Sequence, residues 1–215
     1  MEIYETEEQQ VAALKRWWKA NGSSAITGVV IGIAMILGWN FWQNSQLENA
    51  RNASSLYQQL LSAIDSKNSE SADKISQRLV EQYDATVYAE YAALFQAKIK
   101  VGAGEFEQAK TILQQLMATS EKEMQHVARI RLVRLMLATQ QYEQGLQLIS
   151  EVDATSSESF EGSYQELTGD LYSSLGRLGE ARTAYQSALR LGQRTPLLQF
   201  KIDDITAPEI IETVQ

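Results

Sequence analysis

The sequence predicts an all-α protein with a single N-terminal transmembrane helix, followed by a helical repeat that forms a right-handed α-solenoid. No charged residue lies between Lys19 and Glu48, and the centre of this stretch is strongly apolar. Further along, apolar residues recur at intervals of three and four, as on one face of an amphipathic helix. A similar turn then returns every 36 residues, at Phe106, Tyr142 and Leu178. A fixed interval of this size is typical of stacked helix pairs.

Composition restricts the classes of function. The chain has 215 residues and a net charge of −8, which argues against a general nucleic-acid binder because phosphates are neutralised by Lys and Arg. It contains no cysteine, which excludes disulfides, thiolate zinc sites, iron–sulfur clusters and cysteine nucleophiles. His126 is the only histidine, and no nucleophile motif accompanies it, so a helix-packing or surface role is favoured over a catalytic base. We therefore expect no enzymatic activity and no cofactor.

Residues 21–43 are predicted to cross a lipid bilayer. Between Trp18 and Trp39 a helix rises about 31 Å, close to the hydrocarbon thickness of a membrane. Tryptophans at both ends fit the two membrane–water interfaces, whereas a buried helix of a soluble protein does not explain them. A cleaved signal peptide is disfavoured because the N-terminus is acidic and the sequence Trp39-Asn-Phe-Trp42 lacks a small-x-small site.

Flanking cations set the expected orientation. Lys15, Arg16 and Lys19 precede the span, and Arg51 follows it. By the positive-inside rule, segment 1–20 is cytoplasmic and domain 44–215 lies outside, which in a bacterium is the periplasmic side of the inner membrane. Within the span, Gly28 and Gly32 form a small-residue pair that permits close packing of another transmembrane helix, although composition alone also explains it.

The recurring turns define helix pairs. Each turn places a small residue, Ala109, Gly145 or Ala181, three positions after the aromatic residue or leucine. A small residue there lets the second helix of a pair approach the first. Segments 52–65 and 72–82 form a degenerate starting pair, because Ala72 lies 37 residues before Ala109. Ser120 and Glu123 also predict a capping box for the first helix of the next pair.

The last unit resembles the tetratricopeptide repeat. It keeps that pattern at six positions and departs from it at Gln165 and Thr168, where Trp and Leu are usual. The six matching residues are Gly169, Tyr172, Gly176, Ala181, Tyr185 and Ala188. The resemblance implies a concave surface that binds peptides or partner helices.

Residues on the first helix of each pair are expected to line that concave surface. The candidates are Tyr91, Leu94, Lys98, Ile130, Arg134, Glu166 and Asp170. The apolar members are alternatively ordinary core, and the charged members are alternatively a solvated face. Arg129, Arg131 and Arg134 form a basic cluster that either pairs with acidic neighbours or binds an acidic partner.

As a whole, the chain resembles the YfgM-type ancillary subunits of the bacterial Sec translocon. The resemblance is carried by Met1-Glu-Ile-Tyr-Glu5, Lys15-Arg-Trp-Trp18 and Gly38-Trp-Asn-Phe-Trp42, and by one anchor followed directly by divergent repeats. It implies association with SecYEG through the membrane segment, a complex with the periplasmic chaperone PpiD, and assistance to newly exported, unfolded proteins. An envelope assembly or division scaffold, and a regulator acting through residues 1–20, are alternatives with the same architecture.

Overall fold

The computed structural model describes residues 7–153 and 159–205. These residues form nine α-helices and contain no strand, so the all-α prediction is confirmed for them. The helices are α1 (Glu7–Asp65), α2 (Ser69–Gln82), α3 (Val87–Gly102), α4 (Phe106–Thr119), α5 (Lys122–Ala138), α6 (Tyr142–Ser150), α7 (Glu161–Ser174), α8 (Leu178–Arg190) and α9 (Pro196–Asp204).

The first compact unit ends at Asn52 and is described from residue 7 onward, where it consists of the first part of α1. Within the described chain, this helix is the one that is long and apolar enough to cross a membrane. Its tryptophans form two separate pairs of neighbouring rings. The ring centroids are 6.4 Å apart for Trp17 and Trp18 and 5.2 Å apart for Trp39 and Trp42. Apolar side chains between these pairs are exposed, as lipid-facing residues are.

The predicted glycine pair lies on the open surface of this helix. A Cβ atom added at Gly28 or Gly32 would meet no other atom within 4 Å, and the same holds for Gly38. No neighbouring element of the described chain therefore explains why glycine stands at these positions.

The second compact unit begins at Ala53 and consists of stacked helix pairs closed by α9. The degenerate starting pair is confirmed, and its first helix is the last part of α1, residues 53–65. Leu56 and Leu60 of this segment pack with Ala72 and Leu79 of α2 in one buried cluster. The three following pairs are α3–α4, α5–α6 and α7–α8, as the turn spacing predicts.

The two helices of each pair are joined by a turn that has the same backbone geometry in all four pairs. The second residue after the first helix of each pair has a positive φ, 55° at Lys67, 80° at Gly104, 61° at Gln140 and 73° at Gly176. The next amide N–H then donates to a carbonyl five residues earlier, as Asn68 does to Ala63 at 2.9 Å. This is the Schellman motif, which satisfies carbonyl groups left free at a helix end. Four left-handed turns at intervals of 37, 36 and 36 residues make the starting pair a member of the same series.

The small residues after these turns are buried where the helices of the array approach each other. Ala72, Ala109 and Ala181 are each no more than 1% exposed. A Cβ on Gly145 would lie 3.0 Å from a methyl carbon of Leu171, so a larger residue here would require the Leu171 side chain to shift. A Cβ on Gly169 would overlap the Tyr185 ring.

Helix α5 belongs to two apolar clusters at once. Leu132 and Leu135 pack with residues of α3 and α4, whereas Ile130 and Val133 pack with Tyr164 and other residues of α7. The core therefore continues through α5 from one helix pair to the next.

The predicted capping box at Ser120 is wrong. Helix α5 begins at Lys122 with Glu121 as its N-cap, and no side chain accepts a hydrogen bond there. Ser120 precedes the N-cap by one residue, and its Oγ is buried without a hydrogen-bond partner. Its carbonyl oxygen instead accepts a hydrogen bond of 2.8 Å from Nε2 of Gln125.

Candidate partner-binding groove

Three of the predicted concave-surface residues lie together in one cavity between α3 and α5. Leu94 and Lys98 of α3 and Arg134 of α5 border a space of about 380 Å³. We call this space the α3–α5 groove. Its remaining lining consists of Ala97, Val101, Leu113, Arg131, Leu135 and Ala138. Leu94 is only 6% exposed, so it forms part of the apolar floor, while Lys98 and Arg134 are exposed at the rim.

Two other predicted residues lie outside this groove. Tyr91 is 41% exposed, and its ring centroid lies 6.1 Å from that of Tyr57. Ile130 is buried and packs with Tyr164 and Leu167 in the core between α5 and α7. Ile130 therefore contributes to helix packing, which is the alternative that the sequence left open for the apolar candidates.

The last two predicted residues, Glu166 and Asp170, are engaged by α9. Nζ of Lys201 lies 2.8 Å from Oε1 of Glu166 and 2.7 Å from Oδ1 of Asp170. The Tyr185 hydroxyl also donates to Oδ1 of Asp170 at 2.8 Å. Burial works against the charged form of Lys201, but the hydrogen bonds to Asp170 and Glu166 outweigh it and raise its pKa. Helix α9 thus packs beside Glu166 and Asp170 of α7 and occupies their carboxylates.

A second cavity extends the basic surface beyond Lys98. It has a volume of about 440 Å³ and lies among the last part of α1, the start of α2 and the end of α3. Lys67 and Lys98 border it, and its apolar lining includes Ile64, Phe95 and Ile99. Sequence reasoning missed Lys67, although its position in the turn that aligns with Gly104 places it beside the first helix of the next pair.

The cations of these two cavities lack counterions. Within the described part of the chain, Lys67, Lys98, Arg131 and Arg134 form no ion pair within 4 Å, and no carboxylate lines either cavity. Nη1 of Arg131 donates to the carbonyl oxygen of Leu94 at 3.2 Å. Burial and the nearby charge of Arg134 lower the pKa of Arg131. Like charges of Arg131 and Arg134 thus lie close together at the groove, and both residues are exposed.

A second group of arginines, Arg177, Arg182, Arg190 and Arg194, lies in and beside α8. Arg177 forms an ion pair of 2.7 Å with Glu180, and Arg190 donates to the Ser187 hydroxyl. Arg182 donates to the carbonyl oxygen of Ile205 at 2.8 Å. Nε of Arg182 is buried without a hydrogen-bond partner, so of these contacts only that of Arg177 with Glu180 is an ion pair.

His126 is a buried packing residue. Its Nδ1 lies 2.8 Å from the Tyr164 hydroxyl oxygen, and its ring stacks on Phe160 with centroids 5.0 Å apart. Burial raises the pKa of Tyr164 to about 12. No group of three or more histidine, aspartate or glutamate side chains able to hold a metal ion occurs in residues 7–153 and 159–205.

Comparison with solved structures gives the same fold. The structure is similar to MamA residues 41 to the end from Desulfovibrio magneticus RS-1, with a TM-score of 0.55 and 14% identity. That similarity covers 73% of this chain and 83% of the other. A MamA RS-1 double mutant gives the same TM-score at 15% identity and the same coverage.

Sequence comparison identifies the family. Residues 15–207 match the family model described as a tetratricopeptide repeat-like domain. The chain is 30% identical over 214 residues to a protein of Escherichia coli K12 named ancillary SecYEG translocon subunit, covering 96% of this chain and all of that protein. A protein of the same name from Haemophilus influenzae is 29% identical over 87% of this chain and 91% of its own length. The chain therefore belongs to the family of ancillary SecYEG translocon subunits with a tetratricopeptide repeat-like domain.

Proposed function

We propose that this protein is a membrane-anchored, non-catalytic interaction module that associates with the SecYEG translocon and links it to periplasmic chaperones. The observation that carries this proposal is the match to the Escherichia coli ancillary subunit over nearly the full length of both chains. PpiD is the proposed chaperone, and newly exported proteins in an unfolded state are the proposed beneficiaries.

The proposed topology has residues 1–20 in the cytoplasm, residues 21–43 in the inner membrane and residues 44–215 in the periplasm. The cations at Lys15, Arg16 and Lys19 support this orientation, since cytoplasmic flanks of membrane helices are rich in Lys and Arg. The two tryptophan pairs support the position of the span.

The two units have separate proposed contacts. Gly28 and Gly32 present an open, smooth helix surface that fits a helix of the translocon. The α3–α5 groove is the proposed contact for a soluble partner. Anchoring the repeat domain at a channel raises its effective concentration near emerging chains, so a weak and reversible contact is sufficient.

Crosslinking in intact membranes tests the proposal. The full chain is compared with a variant whose residues 21–43 are replaced by an unrelated transmembrane helix. We expect the full chain to capture translocon subunits and the chaperone, and the variant to lose the translocon while keeping the chaperone.

The result that contradicts the proposal is capture of neither partner by the full chain under conditions that preserve the translocon. Recovery of cell-division or envelope-assembly proteins in their place would support a scaffold instead. A second variant without residues 1–14 tests the cytoplasmic segment: under the proposal it retains both partners, whereas a regulator acting through this segment would lose its effect.

A further inference from the structure

The two cavities on either side of Lys98 differ in charge from the rest of the chain. The protein has a net charge of −8, yet these cavities are lined by Lys67, Lys98, Arg131 and Arg134 and by no carboxylate among the described residues. The cavity beside Asp84 and Glu90 is bordered by acidic groups, and the one beside Glu180 includes a carboxylate. The basic character is therefore local to these two cavities, which share Lys98.

Several carboxylates elsewhere in the repeat domain are already paired with cations. Lys201 neutralises Glu166 and Asp170 through contacts of 2.7–2.8 Å, and Lys100 pairs with Asp73 at 2.9 Å. Arg131 and Arg134 have no such partner among the described residues, and an anion beside them would reduce their mutual repulsion. Arginine is suited to this because its guanidinium binds carboxylates in a bidentate geometry.

The floor of this surface is apolar. Leu94 and Leu135 line the α3–α5 groove, and Phe95 and Ile99 line the adjoining cavity. A simple inorganic anion would leave these side chains in contact with water. A chain segment that carries both carboxylates and apolar side chains would cover the floor and neutralise the rim.

We propose that the α3–α5 groove and the adjoining cavity bind an acidic, apolar peptide segment of a partner protein. Carboxylates of the segment contact Lys98, Arg131 and Arg134, and its apolar side chains lie against Leu94 and Leu135. The inference deepens the proposed function and rests on the interaction role assigned there to the repeat domain.

Fluorescence anisotropy with the full chain in nanodiscs of zwitterionic lipid tests this inference. The probe is a labelled synthetic peptide of alternating aspartate and leucine, compared with a peptide in which every aspartate is replaced by asparagine. The test variant carries Lys98→Glu and Arg134→Glu. The matched control carries Arg78→Glu and Arg190→Glu, which change the net charge equally at exposed positions on α2 and α8.

We expect the test variant to bind the acidic peptide about tenfold more weakly or worse, and the control variant to bind it as the unaltered chain does. Binding should also weaken as the salt concentration rises, because exposed ion pairs are screened. A second variant, with glutamine at both positions, should lose affinity to a smaller extent. Circular dichroism and thermal unfolding establish that each variant is folded.

Three outcomes would overturn the inference: equal losses in the test and control variants, equal affinity for the asparagine peptide, or no binding of the acidic peptide. A further overturning result is displacement of the peptide by vesicles of anionic phospholipid that the test variant no longer binds, because the groove would then be a lipid site. Crosslinking of the test variant to the translocon separates the two proposals. If that contact persists while the peptide fails to bind, only the groove inference has failed.

Discussion

At the scale of single residues, close contacts between helices require a small residue at the point of contact. Gly169 of α7 faces the ring of Tyr185 on α8, and the hydroxyl of the same tyrosine donates to Asp170. The ring and the hydroxyl thus fix the position of α8 against α7. Two effects raise the pKa of Tyr185 above its ordinary value: burial is the larger, and the hydrogen bond to Asp170 is the second.

Replacing Gly169 by alanine is expected to destabilise the repeat domain. The added methyl group would overlap the Tyr185 ring, and overpacking of this kind costs roughly 1–3 kcal/mol. Chemical denaturation monitored by circular dichroism measures the loss. Gly179→Ala is the matched control, since a Cβ there meets no atom within 4 Å and alanine favours helix. Equal losses in both variants would contradict the packing argument.

Tyr164 makes stability sensitive to alkaline pH. Its pKa of about 12 in the folded chain exceeds the value of about 10 in an unfolded chain. Its contribution is therefore fully present below pH 10 and is lost as the pH rises through 12. The shift corresponds to about 3 kcal/mol.

Tyr164→Phe should remove this part of the pH dependence. The free energy of unfolding, measured by denaturation at pH 9, 10 and 11, should decrease more steeply with pH for the unaltered chain than for the variant. An equal decrease in both proteins would show that Tyr164 is not the group responsible for the pH dependence. At neutral pH the variant should also be less stable, because it loses the contact between Tyr164 and His126.

At the scale of elements, four turns share one geometry but not one residue type. Glycine occupies the left-handed position in two of them, at Gly104 and Gly176, whereas Lys67 and Gln140 occupy it in the others. A side chain in this conformation costs about 1–2 kcal/mol relative to the right-handed form. The repeat geometry is therefore maintained by packing at positions where the local sequence does not favour it.

Gln140→Gly is expected to stabilise the protein by roughly 1 kcal/mol, since glycine adopts a φ of 61° without a Cβ clash. Thermal unfolding should show a higher midpoint for this variant. Gln147→Gly, at an exposed position inside α6, provides the comparison and should lower stability by about 1 kcal/mol. A decrease in both variants would mean that Gln140 is not held in the left-handed conformation.

Local sequence was sufficient to predict the helix pairs and their turns. The small residues at Ala109, Gly145 and Ala181 and the interval of 36 residues all reflect contacts within or between adjacent helices. The association of α9 with Glu166 and Asp170 was not predictable, because Lys201 lies 35 and 31 residues further along and no local pattern connects them. The burial of Ile130 was not predictable either, because it depends on which face of α5 packs against α7.

At the scale of the whole molecule, the described chain contains an apolar helix long enough to cross a membrane and a unit of stacked helix pairs. The two have different surfaces. The first exposes apolar side chains and open glycines, and the second carries a basic groove in an otherwise acidic chain. The sequence predicted the apolar span and indicated Arg131 and Arg134 as part of a basic cluster, whereas the position of Lys67 and Lys98 beside the same cavities required the fold.

Gly28→Leu combined with Gly32→Leu should markedly reduce crosslinking to the translocon, because leucine prevents the close backbone approach that small residues allow. Neither glycine contacts another part of the described chain, so a loss would report a partner helix and not a folding defect. Gly38→Leu, at another open position on the same helix, should leave crosslinking unchanged. Equal effects of both changes would argue against a specific glycine face.

The two-sided burial of α5 determines how the repeat domain opens. Seven of its residues are buried, from His126 to Met136, and they contact helices on opposite sides. Amide hydrogens of such a helix exchange with deuterium only after neighbouring pairs have separated, whereas those of α9 need only the release of one short helix. We therefore expect α5 to exchange slowest and α9 to exchange fast, so that Glu166 and Asp170, which Lys201 of α9 contacts, become accessible well before the domain unfolds.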